Sequence, residues 1–212
     1  MAILTSLKLW YAYQIYKGNK TLEIRKSSPK NLPQTNYFYI TTSSRADLKR
    51  IPEKDRVMCE NWLGKIPFEF TLKRIDTIEI CDPDILINGK QCKQANLQKE
   101  CQVSINNIMS YIGYGNDHDG WGRDWDKGYL WHIDNLKIYD KPKELSDFVV
   151  EGDCNNEDCQ HCKYFYCGRG WLDGSTYDDN DCKIYGYKPI TRPPQSWCYV
   201  TKEKSNMNNV KD

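Results

Sequence analysis

The sequence predicts an α+β fold: a small mixed β-barrel with flanking helices and a Cys-rich insertion. Three observations carry that expectation. Five or six short segments alternate apolar and polar residues, few segments keep a helical period, and four thiols crowd into one late stretch of the chain. At 212 residues the chain suits a single domain over about 1–200. A helical insertion is expected at about 85–128, a Cys-rich one at about 151–185, and a polar, frayed tail at 201–212.

Residues 2–7 read as a buried strand, and Leu9, Tyr13 and Tyr16 mark a helical stripe that Gly18 closes. Residues 21–25 alternate strictly, with Leu22 and Ile24 on one side and Thr21, Glu23 and Arg25 on the other. Pro29 and Pro33 break the chain before a strand from Tyr37 to Thr41. Residues 45–63 read as helix interrupted at Pro52, and Phe68, Phe70 and Leu72 open a strand continuing towards Ile75, Ile78 and Ile80. Residues 94–112 read as one amphipathic helix, with Leu97, Cys101, Ile105, Ile108 and Ile112 on its apolar face. A Gly/Asp/Trp loop at 113–128 leads to strands from Tyr129 to Ile133 and from Leu136 to Tyr139, and Pro142 opens a connector. The run from Arg192 to Val200 enters a last strand.

Composition narrows the function. Seven Trp and fifteen Tyr against five Phe favour half-wet surfaces and binding clefts, because both side chains join a flat apolar face to a polar handle. The net charge is only +1, yet residues 1–75 hold fourteen Lys/Arg against six Asp/Glu, and residues 112–181 hold seven against sixteen. One basic face for a phosphate-bearing partner fits this better than a uniform nucleic-acid wrapper. The first residues lack a basic stretch followed by an apolar one, and no run of eighteen apolar residues occurs. Neither a signal peptide nor a membrane span is expected, which points to a cytoplasmic protein with reduced cysteines.

The strongest local signal is Gly18-Asn19-Lys20-Thr21-Leu22-Glu23-Ile24-Arg25. Preceded by a strand and an aromatic helix, it resembles the G-x-K-x-x-E-x-R signature of the ASCH family in the PUA-like superfamily. The resemblance takes in Tyr37 to Thr41 and Trp131-His132-Ile133. The ending from Pro193 to Val200 resembles that of ASCH-like proteins of bacteriophages and mobile elements. The resemblance implies a PUA-like barrel with a cleft beside the signature strand, binding RNA, another nucleic acid or a modified nucleotide. The ligand-binding candidates are Trp10, Tyr13, Lys20, Thr21, Glu23, Arg25, Trp131, His132, Ser196 and Trp197. Lys20 and Arg25 offer donors to a phosphate or carbonyl, Glu23 accepts from an exocyclic amine, and the aromatic rings offer stacking faces. The competing reading pairs Glu23 with Arg25 on a solvated sheet edge.

A small branch of the family hydrolyses acylated cytidine, so an amidohydrolase using Lys20 and Glu23 is the catalytic alternative. That branch carries a Thr where this chain has Glu23, which leaves the nucleophile unassigned; Thr21 is adjacent. A Lys base would also need a depressed pKa. A third reading is a phage protein that binds a host protein through the insertions.

Cys154, Cys159, Cys162 and Cys167 follow x4, x2 and x4 spacing, and Cys159-x2-Cys162 lets two thiolates reach one metal. Structural Zn²⁺ on these four is expected, with Cys182 as a substitute ligand; an iron–sulfur cluster or independent thiols are the alternatives. Asp117-His118-Asp119 and Asp178-Asp179-Asn180-Asp181 read as turns rather than metal sites.

Overall fold

The structure is a computed structural model that describes residues 2–81, 84–113, 126–151, 187–190 and 192–200. Among these residues no helix is long and apolar enough to cross a membrane. The strands are β1 (Ala2–Leu7), β2 (Leu22–Arg25), β3 (Gln34–Ile40), β4 (Lys65–Leu72), β5 (Ile75–Cys81) and β6 (Asp84–Ile87). They continue with β7 (Lys90–Gln91), β8 (Asp126–His132), β9 (Asp134–Glu144), β10 (Val149–Glu151), β11 (Tyr187–Pro189) and β12 (Trp197–Val200). The helices are α1 (Leu9–Tyr16), α2 (Glu53–Trp62), α3 (Gln94–Cys101) and α4 (Ile105–Ile112), with 3₁₀ turns at Thr42–Arg50 and Leu145–Asp147.

The strands form two five-stranded sheets, ordered β12-β1-β3-β4-β9 and β2-β8-β5-β6-β7, and a β10-β11 ribbon. The β1–β3 pair is parallel because the chain leaves β1 through α1 and crosses back; the other pairs are antiparallel. Two strand runs pass together from one sheet into the other. Thr71 of β4 opposes Asp134 of β9, Ile75 of β5 opposes Trp131 of β8, and the His132 N–H donates to the Arg74 carbonyl between them at 3.1 Å. Main-chain hydrogen bonding therefore continues along this seam.

Strand alternation sorts side chains into three cores. The inner faces share one, where Ile3, Phe38, Phe70 and Trp131 pack with residues of α1 and α2. Leu22, Ile24, Ile78 and Leu130 point to the other face of the second sheet and pack against α3 and α4. Leu4, Tyr39, Ile66 and Phe148 form a third core on the far face of the first sheet.

Several expectations are met closely. Pro52 ends the 3₁₀ turn and serves as N-cap of α2, as its missing N–H allows. The single helix over 94–112 is corrected to two. Gln102 takes a left-handed φ of 54°, and the Ser104 hydroxyl then caps α4 by accepting from the Asn107 N–H. The apolar stripe survives the break, since Leu97, Cys101, Ile105, Ile108 and Ile112 all reach the same core. Pro142 does not open a connector; it lies inside β9. It sits where that strand bulges, between the pairs Ile66–Lys143 and Phe68–Ile138, a stretch that on β4 contains Pro67. Neither proline has an N–H for the ladder, so the bulge falls where it loses least. Asp126 to Gly128, expected in a loop, extend β8. The β6–β7 hairpin turns on Asn88-Gly89, with φ of 50° and 74°, a left-handed pair that these residues adopt readily.

Candidate functional site

The second strand is where the sequence signature becomes geometry. Leu22 and Ile24 point to the α3/α4 core, so alternation sends Glu23 and Arg25 to the inner face shared with the first sheet. Glu23 lies opposite Trp131 and Arg25 opposite Tyr129 on β8. Neither charge is solvated: Lys20, Glu23 and Arg25 keep 3%, 7% and 6% exposure.

Burial of this kind is sustained by mutual pairing. Lys20 Nζ lies 3.2 Å from one Glu23 oxygen, and Arg25 Nη2 lies 2.9 Å from the other. Lys20 also donates to the carbonyls of Leu22 and Cys101, each at 2.7 Å. Three acceptors thus surround an ammonium with three N–H groups. The Tyr11 ring centroid stands 5.4 Å from Nζ. Burial raises the Tyr11 hydroxyl pKa, the Glu23 carboxylate adds to the rise, and Arg50 opposes it. Burial pushes the Cys101 thiol up to about 12 despite the nearby Lys20 charge.

Arg25 ties the two sheets together across their second seam. Its Nη2 donates to the Ser6 carbonyl at 2.9 Å and its Nη1 to the Ser196 hydroxyl at 3.3 Å. Ser6 in turn donates from its N–H to the Ser196 carbonyl at 3.0 Å and from its hydroxyl to the Pro194 carbonyl at 2.6 Å. Trp197 packs edge-on against Trp131 at 5.6 Å and donates to the Ser27 hydroxyl. Buried within this group, Arg25 Nε and Trp131 Nε1 have no hydrogen-bond partner among the described residues.

Of the residues singled out in the sequence, Lys20, Glu23, Arg25, Trp131, Ser196 and Trp197 are brought together. The others lie apart. Thr21 is exposed, and its main chain bonds to Glu100 and Ile133. Trp10 is half-buried and stacks on the Arg50 guanidinium at 4.0 Å. Tyr13 is buried in the inner core and donates to Asp55, and burial together with that bond lifts its hydroxyl to about 12. Helical rotation explains the substitution: Tyr11, one position from Trp10, turns towards Lys20 instead.

His132 lies on the opposite face of β8 from Trp131, where its Nε2 is 2.7 Å from Asp76. Arg74 grips the same carboxylate with two donors and Asn88 adds a third. Burial raises the Asp76 pKa, but the hydrogen bonds from Arg74, Asn88 and His132 prevail and hold it at about 2. Asp76 was legible as a polar residue on the Ile78/Ile80 side of its strand. Cys154, Cys159, Cys162, Cys167 and Cys182 lie outside the described residues, as do Asp117-His118-Asp119 and Asp178 to Asp181. Among the described residues no group of three metal-binding side chains forms.

No protein-family model matches the chain, and no curated protein matches it significantly. Solved structures similar to it include the ASCH protein of Zymomonas mobilis, at 14% identity and a TM-score of 0.46, covering 98% of this chain and 91% of that one. A tyrosine-to-phenylalanine mutant of that protein matches at 13% identity and a TM-score of 0.46, over 98% of this chain and 95% of the other. A serine-to-alanine mutant matches at 13% and 0.46, over 98% and 93%.

Proposed function

We propose that this chain is a non-catalytic binding module of the ASCH type that holds nucleic acid, RNA in preference, or a modified nucleotide at the seam between β2 and β12. One observation carries the reading. A buried Lys20–Glu23–Arg25 cluster with an excess of one positive charge stands beside two buried donors, Arg25 Nε and Trp131 Nε1, that lack partners among the described residues. An unpaired buried N–H costs about 1–3 kcal/mol, so a site that keeps two of them suits a ligand bearing acceptors. Half-buried Tyr11, Tyr129 and Trp197 give the surrounding rim an aromatic face for stacking.

The same geometry weighs for binding over hydrolysis. A general base needs a free lone pair, and Lys20 has its three N–H groups directed at Leu22, Cys101 and Glu23. Thr21, the nearest hydroxyl in sequence, is exposed and not part of the cluster.

Titration of tryptophan fluorescence with single-stranded RNA, single-stranded DNA and free nucleotides at several salt concentrations tests the proposal. Saturable binding that Arg25→Gln weakens at least tenfold is expected, and a steep salt slope would mark a phosphate chain. Absence of binding to every member of the set would end it. Structural Zn²⁺ on Cys154, Cys159, Cys162 and Cys167 belongs to the same reading and rests on thiol spacing. Elemental analysis of protein purified without chelator should give one zinc per chain.

A further inference from the structure

The inner face of β3 carries polar groups that the apolar pattern of the strand does not require. Gln34 and Asn36 share a parity with Phe38 and Ile40, so all four point from β3 into the inner core. Asn36 is 0% exposed and Gln34 7%. Asn36 Oδ1 accepts from the Thr5 hydroxyl at 2.7 Å, yet Asn36 Nδ2 and Gln34 Oε1 have no partner among the described residues. Thr5 lies opposite Trp197 across β1 and β12, and Trp197 touches Trp131. A chain of neighbours therefore links the Asn36 carboxamide to Trp131 of the β2–β8 wall, and Gln34 lies two positions earlier on the same face of β3. All four orphaned atoms, on four different side chains, belong to inner faces that share one core.

We infer that Gln34 and Asn36 form the reading wall of the proposed site and recognise the hydrogen-bonding edge of a nucleobase, leaving sugar and phosphate towards the rim. The inference rests on the nucleotide-binding reading and specifies which part of the ligand enters. Arg25 Nε and Trp131 Nε1 can only donate, whereas a carboxamide presents a donor and an acceptor side by side. A phosphate offers acceptors alone and would leave the carboxamide acceptors and the Glu23 carboxylate facing negative oxygens. A heterocyclic edge with carbonyl oxygens and an N–H meets both walls at once.

The test compares adenosine, guanosine, cytidine and uridine, their homohexanucleotides, and ribose 5-phosphate, on the full chain. Wild type should separate the best from the worst base at least tenfold and bind ribose 5-phosphate weakest of all. Gln34→Leu should compress that spread to less than threefold while keeping the salt slope for the hexanucleotides. The pair Thr5→Val with Asn36→Leu, which removes a buried amide together with its partner, should do the same and carries the test should Gln34→Leu fail to fold. Base discrimination unchanged in the folded variants would overturn the inference and leave the binding reading standing. Ribose 5-phosphate binding as tightly as the best nucleoside would overturn it too. A wild type that binds none of these probes would remove the binding reading itself.

Discussion

The Lys20 ammonium donates to the Cys101 carbonyl at 2.7 Å, pinning the start of β2 to the last turn of α3 across 81 residues of chain. It satisfies a carbonyl that a helix end leaves without an intrahelical partner. The same nitrogen serves the Leu22 carbonyl and Glu23, so one side chain joins the inner face of a sheet to the helices packed on its other side.

Lys20 is therefore expected to support the fold whatever it does for a ligand. Lys20→Met leaves Glu23 held by Arg25 alone and strips two buried carbonyls of their donor. Breaking a buried ion pair from one side costs about 3–5 kcal/mol, and urea unfolding should report a loss of that order. Lys20→Arg should not restore it, because a planar guanidinium does not converge its donors on three acceptors around one point. A loss below about 1 kcal/mol, the range of an exposed pair, would show that the contacts are incidental.

Much of this arrangement was legible beforehand, and what was missed has physical reasons. The alternation of Leu22-Glu23-Ile24-Arg25 placed the charged side correctly, because a period of two leaves no freedom over which residues share a face. The stripe from Leu97 to Ile112 placed the apolar face, but a side-chain period does not reveal a left-handed residue, so the break at Gln102 was missed. Starting β3 at Tyr37 hid Gln34 and Asn36, whose polar character at apolar positions was the available signal. Tyr11 escaped notice because a helical stripe read from Leu9, Tyr13 and Tyr16 marks the core side, and the face towards Lys20 depends on where β2 returns. The partnership of His132 with Asp76 depends on β5 lying beside β8, a pairing that no local pattern encodes.

Asp76 gives a pH dependence with a definite sign. Its carboxyl is held at about 2 against an ordinary 3.8, so the folded state binds its proton more weakly than the unfolded chain does. The stabilisation is fully present above pH 3.8 and is lost as pH falls through about 2. At about 1.4 kcal/mol per unit, its size is roughly 2 kcal/mol. Asp76→Asn removes the titrating group and keeps its shape, so the stability difference between wild type and variant should shrink by that amount between pH 5 and pH 2. A constant difference across the range would show that the carboxylate gains nothing from Arg74, Asn88 and His132.

Gly128 of β8 lies under the Ile112 side chain of α4. A Cβ added there would meet the Ile112 side chain at 3.1 Å and Ile78 at 3.2 Å, both within the α3/α4 core. Gly128→Ala should cost about 1–3 kcal/mol by overpacking. Trimming the opposing chain by Ile112→Val should return part of that loss. The two effects adding independently in thermal melts would mean that the side chains do not meet.

Thr5 and Asn36 allow the polar character of the inner wall to be weighed against stability. Thr5→Val alone removes the one partner the Asn36 carboxamide has among the described residues, and leaving a buried polar group unpaired costs about 1–3 kcal/mol. Adding Asn36→Leu removes the stranded amide as well. The pair of changes replaces a half-satisfied polar contact with apolar volume on a wall already lined by Ile3, Phe38 and Phe70. The double variant should match or exceed wild type in urea unfolding, giving a coupling energy of about 1–2 kcal/mol in the cycle. A protein that keeps such a contact despite a more stable apolar alternative is spending stability on something other than folding. Additive destabilisation by the two changes would instead assign Asn36 a structural role through main-chain neighbours on β1 and β4, and the inner wall would then be polar for the sake of the fold.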